Sequence, residues 1–218
     1  MTTVLGVDGC PGGWVVATVG PVGLGWRFAP TAAEVLDLAG DVVAVDIPIG
    51  LPERGTRSCD VLARHRLPGR GSSVFPAPVR AVLGSATYAE ARRRSVAVDG
   101  RSLSAQCFGI LPKIAEVDLA VRASSRRTVL EVHPEVSFAA LAGRPLARKT
   151  SPAGVLARVQ LLVAAFGPLP EQVPREARLD DALDALVCAW TALRWLRGEA
   201  EVLGGEPDGT GLPMRIVV

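Results

Sequence analysis

Short apolar runs broken by turn residues fill the first part of the chain. TVLGVD (3–8) reads as a buried strand ending in an acid, and GCPGG (9–13) as a turn. WVVATV (14–19) and LGWRFA (24–29) read as two further strands joined around Pro21 and Gly23. Three strands with such short connections predict an antiparallel meander. Thr31 and Glu34 have capping-box spacing for a helix that stops at Gly40. VVAVDIPIG (42–50) is a continuous apolar strand with one acid near its end. A strand, helix, strand order implies a crossover and a parallel pairing.

The middle of the chain reads as helical. Thr87 and Glu90 form a second capping box, and Ser104 opens a helix that Pro112 is expected to kink or end. GRGSSVFPAP (69–78) is a loop by composition. TVLEVH (128–133) reads as another strand with an embedded acid, and Pro134 then starts a helix to Gly143. Ser151 and Pro152 open a helix through 153–166, and a proline-rich connection covers 167–175. The last helix runs from about Leu179 to Arg197, with Leu183, Leu186, Val187, Trp190 and Leu193 at helical spacing. The order of three meander strands, helix, strand, helical segment, strand and helices is that of the RNase H-like fold. The expected architecture is α/β: one RNase H-like domain over 1–218, its five-stranded mixed sheet flanked by helices. A basic helical insertion at about 51–127 separates the fourth and fifth strands.

Composition narrows the chemistry. The chain has 218 residues, enough to bury a core, and no apolar run of membrane-spanning length. The start, MTTVLGVDG, lacks a basic region followed by a long apolar stretch, so a cytoplasmic location is expected. Cys10, Cys59, Cys107 and Cys188 are widely spaced, and His65 and His133 are the only histidines. That argues against zinc, iron–sulfur and disulfide frameworks. A bound metal would rely on carboxylates, which points to magnesium or manganese. Charge is uneven: residues 51–127 hold 14 Lys and Arg against 6 Asp and Glu, a net of +8, and the remainder 10 against 16, a net of −6. A basic segment beside an acidic remainder suits a protein that holds a polyanion against carboxylates. Arginine supplies nearly all of this charge, because Lys113 and Lys149 are the only lysines.

The acids fall where strands end. Asp8 closes the first strand and Asp46 lies near the end of the strand after the first helix. In an RNase H-like sheet these strands are neighbours, so the two carboxylates emerge side by side. Adjacent carboxylates resist joint ionisation, and a divalent cation relieves the repulsion. The last helix adds Asp180, Asp181 and Asp184 within DDALDA. Either Asp181 or Asp180 fits beside Asp184 on geometry, and an acidic first turn also suits the helix dipole. Glu131 and His133 lie two apart on a strand and face one side. If that side points at the metal, His133 becomes a candidate proton shuttle, its unperturbed pKa being about 6.5. Glu135 begins the next helix.

Several stretches carry a family resemblance: GVDGCPGGW, VDIPIGLP, the R-x-C-D-x-x-A-R run from Arg57 to Arg64, SSVFPAPVR, PKIAEVD, EVHPEVSF and DDALDALVCAW. In this order, from Val4 to about Leu196, they resemble the family called domain of unknown function 429, often labelled a predicted RNase H-like nuclease. The last helix also resembles that of RuvC-type Holliday junction resolvases, whose D-x-x-D-A-L stretch supplies the final metal ligands. This favours Asp181 with Asp184, beside Asp8 and Asp46. EVHPE is a departure, because those resolvases have no matching motif on that strand. The resemblance implies two-metal phosphodiester hydrolysis of DNA or RNA with Mg²⁺ or Mn²⁺. The catalytic set is then Asp8, Asp46, Glu131, His133, Asp181 and Asp184, and the four aspartates are the metal ligands. Arg54, Arg57, Arg64, Arg66 and Arg70 form the densest cationic cluster for phosphates, unless Arg57 or Arg64 pairs with Asp60 instead. Ser73 and Lys113 are further substrate contacts, with Ser72 and Phe75 in a loop that closes over the substrate.

Two other readings compete. GVDGCPGG also resembles the first phosphate loop of the actin, heat-shock ATPase and sugar kinase superfamily. A single copy of that motif requires a dimer to enclose a nucleotide. Gly9, Gly12 and Gly13 equally suit a plain hairpin turn. The third reading is a non-enzymatic scaffold with idle acids. Trp190 and Trp195 fit either the core or a homodimer contact.

Overall fold

The computed structural model describes residues 2–124 and 127–218. Strands β1 (Val4–Cys10), β2 (Gly13–Gly20) and β3 (Gly23–Ala29) form the antiparallel meander, in register from Val4 opposite Val19 to Cys10 opposite Gly13. Pro11 and Gly12 make the two-residue turn, and Gly12 takes the positive φ of 76° that such turns need. Helix α1 (Ala32–Asp37) is capped by Thr31, whose side chain accepts from the Glu34 amide, and ends before Gly40. β4 (Val42–Val45) then pairs parallel with β1, and β5 (Thr128–Glu131) parallel with β4. The sheet order is β3-β2-β1-β4-β5. This mixed five-stranded sheet flanked by helices is the RNase H-like fold.

Helices α2 (Ser58–His65), α3 (Tyr88–Asp99) and α4 (Ala105–Ala123) lie between β4 and β5. α5 (Pro134–Ala142), α6 (Pro152–Phe166) and α7 (Leu179–Arg197) follow β5. Pro112 neither ends nor breaks α4, contrary to expectation. It is exposed, and the buried Leu111 and Ile114 beside it hold the helix on the core. The β4 strand is shorter than its apolar run: Asp46 to Gly50 continue as irregular chain. Sequence reasoning missed a terminal hairpin of β6 (Val202–Pro207) and β7 (Pro213–Val217), which touches the main sheet through a parallel bridge from Val132 to Val217. Two glycines and a proline interrupt β6, and most of it is exposed, so it lacks a strand signature.

The period-2 alternation of strands divides two apolar cores. Leu5 and Val7 of β1 and Val43 and Val45 of β4 join Val35 of α1 and Ile114 and Val117 of α4. Val4, Val42, Ala44 and Leu130 face the opposite way, toward Phe138, Leu162, Leu183, Leu186 and Val187 of α5–α7. Gly6 shares that second face. A Cβ there would lie 2.0 Å from the Ala185 carbonyl oxygen and 2.3 Å from the Ala189 nitrogen, so only glycine lets α7 approach β1 this closely. Trp190 and Trp195 are partly buried against this second core. The four cysteines are free and buried, and no helix among the described residues is long and apolar enough to cross a membrane.

Candidate metal centre

Alternation sends Asp8, two residues beyond Gly6, to the α7 side of the sheet. Asp46 follows Val45, whose partner across the parallel ladder is Val7, and its amide donates to the Val7 carbonyl at 2.9 Å. Asp46 therefore stands beside Asp8. Asp184, one residue before the Ala185 that contacts Gly6, enters from α7. One carboxylate oxygen from each of Asp8, Asp46 and Asp184 lies within 4.8 Å of the others.

These acids are poorly neutralised. Asp8 is 8% exposed and Asp184 3%. One Asp8 oxygen accepts from the Gly9 amide at 2.7 Å. Lys149 donates to Asp184 Oδ2 at 2.7 Å and lies 3.4 Å from Asp180, while the buried Asp184 Oδ1 has no partner among the described residues. Burial, then the charges of Asp46 and Asp184, hold the Asp8 carboxyl well above the ordinary range. Burial and the Asp184 charge push Asp46 up to about 8. Burial pushes Asp184 up to about 6 against the pull of Lys149. Three crowded carboxylates share one ammonium, and one fully buried oxygen, Asp184 Oδ1, is left without a donor among the described residues. An all-carboxylate donor set with a spare buried acceptor fits a hard divalent cation such as magnesium or manganese.

The cluster opens into a cavity of ≈ 650 Å³. Its walls include the β1–β2 turn, Ser73 and Phe75, Gly109, Ile110 and Lys113 of α4, His133 to Glu135, Lys149, and Arg178 and Asp181 at the start of α7. Asp181 lines this cavity but lies outside the three-acid group; its carboxylate accepts from the Arg178 amide at 2.9 Å and closes the end of α7. Lys113 reaches back to the Gly13 carbonyl and sits 4.3 Å over the Trp14 ring.

Other expected site residues have structural partners. Glu131 is not among the metal-facing acids. It pairs in register with Val45, so it shares the face of Val45 and Val7, and Val132 follows it on the Asp46 side. There it meets Arg57, which is 2% exposed. Two guanidinium nitrogens of Arg57 reach Glu131 at 2.7 and 2.6 Å, and two reach Asp60 at 3.2 and 2.6 Å. Burial would depress Arg57, but Glu131 and Asp60 hold its pKa well above its usual value. It is thus sealed from substrate, and the Asp60 pairing accounts for it. Glu131 also accepts from the Ile49 amide at 2.6 Å and Asp60 from the Ala77 amide at 2.9 Å, so the cluster ties down the chain after Asp46 and the loop carrying Ser73 and Phe75.

Arg54 and Arg64 are exposed and do not line the cavity; Arg64 donates to the Val74 carbonyl at 2.9 Å. Arg66 pairs with Glu201, and Arg70 with the Leu146 carbonyl and Glu135. His133 lines the cavity, yet its Nε2 is 3.3 Å from the Ser73 carbonyl oxygen and its Nδ1 is buried. Burial lowers its pKa and keeps the ring neutral. It anchors the Ser73 loop in this geometry, and neither nitrogen is presented as a proton shuttle. Lys149, Arg178 and Gly6 escaped sequence reasoning as site residues. Lys149 carried a signal, being one of two lysines in an arginine-rich chain.

A family model described as "Protein of unknown function (DUF429)" matches residues 6–209. The chain belongs to this family. Within this DUF429 chain the match covers the β1–β2 turn, the acid cluster and the Arg57–Glu131 pair. No curated protein matches the sequence. Among solved structures, T. thermophilus RuvC in complex with Holliday junction substrate is similar at 12% identity, covering 91% of this chain and 98% of that one with a TM-score of 0.42.

Proposed function

We propose that this protein is a nuclease that hydrolyses nucleic-acid phosphodiesters with divalent metal bound at Asp8, Asp46 and Asp184. The observation that carries the reading is the under-neutralised trio of carboxylates in a cavity that also presents cations. Mg²⁺ or Mn²⁺ held by these three carboxylates would supply Lewis acidity for activating water and for offsetting charge on a leaving oxygen. The protein supplies the rest. Asp8 and Asp46, on adjacent rigid strands, fix two ligand groups, and Asp184 brings a third from α7 across Gly6. Lys149 balances the trio before loading. Asp181 lines the same cavity one turn before Asp184 and is the candidate for a second coordination role. Lys113 and Arg178 bind phosphate oxygens across the cavity.

The glycines of GCPGG have their own explanation in the hairpin turn, which weakens a phosphate-loop reading. The test is cleavage of single-stranded and duplex DNA and RNA with Mn²⁺. Asp8→Asn should abolish cleavage while its circular dichroism and cooperative unfolding stay wild-type. An unchanged cleavage rate in that variant would sink the mechanism.

A further inference from the structure

One aromatic side chain at the acid cavity has no part in holding the fold together. Among the described residues, every tryptophan, the tyrosine and the other phenylalanines are buried or half-buried; Phe75 alone is exposed, at 44%. It joins none of the apolar clusters. It nevertheless lines the cavity that holds Asp8, Asp46 and Asp184, as does the exposed Ile110 of α4. Phe75 also lines a second cavity of ≈ 210 Å³, with Pro76, Pro78, Ser102 and Cys107, so it is a wall common to both.

The backbone on either side of Phe75 is fastened. The Ser73 carbonyl oxygen lies 3.3 Å from His133 Nε2, and the Val74 carbonyl accepts from Arg64 at 2.9 Å. The Ala77 amide donates to Asp60 at 2.9 Å, and Asp60 is itself held by the buried Arg57. Val74 and Ala77 are buried, which leaves Phe75 and Pro76 as an exposed tip between two anchors. Apolar ring surface left in water is unfavourable, and these anchors keep the tip from folding inward. A ring fixed in advance loses little freedom when something binds to it.

Resting on the nuclease reading, we propose that Phe75 is the base-stacking residue of this site. A phosphodiester held at the acids carries its nucleosides into or beside the same cavity, and a nucleobase lies on the Phe75 ring. Every base has a π-face, so this contact selects a nucleotide over a plain phosphoester without reading sequence. The loop is a fixed platform rather than a lid.

The test is equilibrium binding of a short fluorescent single strand of mixed sequence and of a fully abasic strand of equal length, with Ca²⁺ in place of the catalytic ion. Wild type should prefer the strand that carries bases. Phe75→Ala should weaken that strand about 5- to 150-fold, the loss of one base–aromatic stack, and leave the abasic strand unchanged. Phe75→Trp should keep wild-type affinity, whereas Phe75→Leu, apolar but without a π-face, should fall with alanine. Mn²⁺ affinity by calorimetry should stay wild-type in all three variants. No loss in Phe75→Ala, an equal loss on both strands, full affinity in Phe75→Leu, or lost Mn²⁺ affinity would overturn this inference and leave the nuclease reading standing. Absence of binding to either strand, by wild-type protein that demonstrably binds Mn²⁺, would overturn both.

Discussion

Replacing Arg57 with methionine separates a structural arginine from a phosphate contact. The guanidinium makes four contacts to Glu131 and Asp60, and donates to the carbonyls of Ile49 at 3.1 Å and Gly50 at 3.2 Å. Its side chain is 1% exposed and those of its acid partners 5% and 2%. Arg57→Met would leave two buried carboxylates facing each other without a cation. Breaking a buried pair by removing one partner costs about 3–5 kcal/mol. In a chain of this size each kcal/mol is worth about 2–4 °C, so Tm should fall by about 6–20 °C. Metal affinity should fall too, because the chain after Asp46 loses its tether. Arg57→Met with Glu131→Gln should be less destabilised than the sum of the single changes. Thermal unfolding followed by circular dichroism measures each. A single variant that melts within about 2 °C of wild type yet loses nucleic-acid affinity would refute the reasoning and return Arg57 to the substrate.

Gly6→Ala should disrupt folding or detach α7, because its Cβ would overlap helix backbone at 2.0 Å; wild-type Tm with wild-type Mn²⁺ affinity would contradict that. Metal-free stability should depend on pH with a defined sign. Asp46 and Asp184 titrate higher in the folded protein, at about 8 and about 6, than the ordinary 3.8, so the folded state binds more protons between those values. Their contribution therefore weakens as pH rises from about 4 to about 8. Metal-free protein should melt at lower temperature at pH 8 than at pH 6, and Mn²⁺ should restore most of the difference. A pH-independent difference between Asp46→Asn and wild type would count against it.

The sheet was legible because each of its strands carries an apolar run and the turns between the first three are punctuated by glycine and proline. The adjacency of Asp8 and Asp46 followed from alternation plus one crossover. Glu131 was misplaced because same-side logic for Glu131 and His133 says nothing about which side. That depends on the β4–β5 register, which places Val132 beside Asp46. Arg57 was visible only as charge: its burial depends on Glu131, 74 residues away. The terminal hairpin was illegible because Gly204, Gly205 and Pro207 erase its pattern, and it is fixed through long-range bonds such as Asp208 to the Leu51 amide. Lys149 is set by the path of a loop, which no periodicity reports.

The most direct test of the account is Mn²⁺ titration by calorimetry into wild type, Asp46→Asn and Asp184→Asn, in the presence of a non-cleavable short oligonucleotide so that sites needing substrate are also filled. Saturable binding to wild type, weakened in both variants, is the expected result. Wild-type binding that neither substitution changes, or no binding at all, would contradict a metal centre shared by the strand and helix acids.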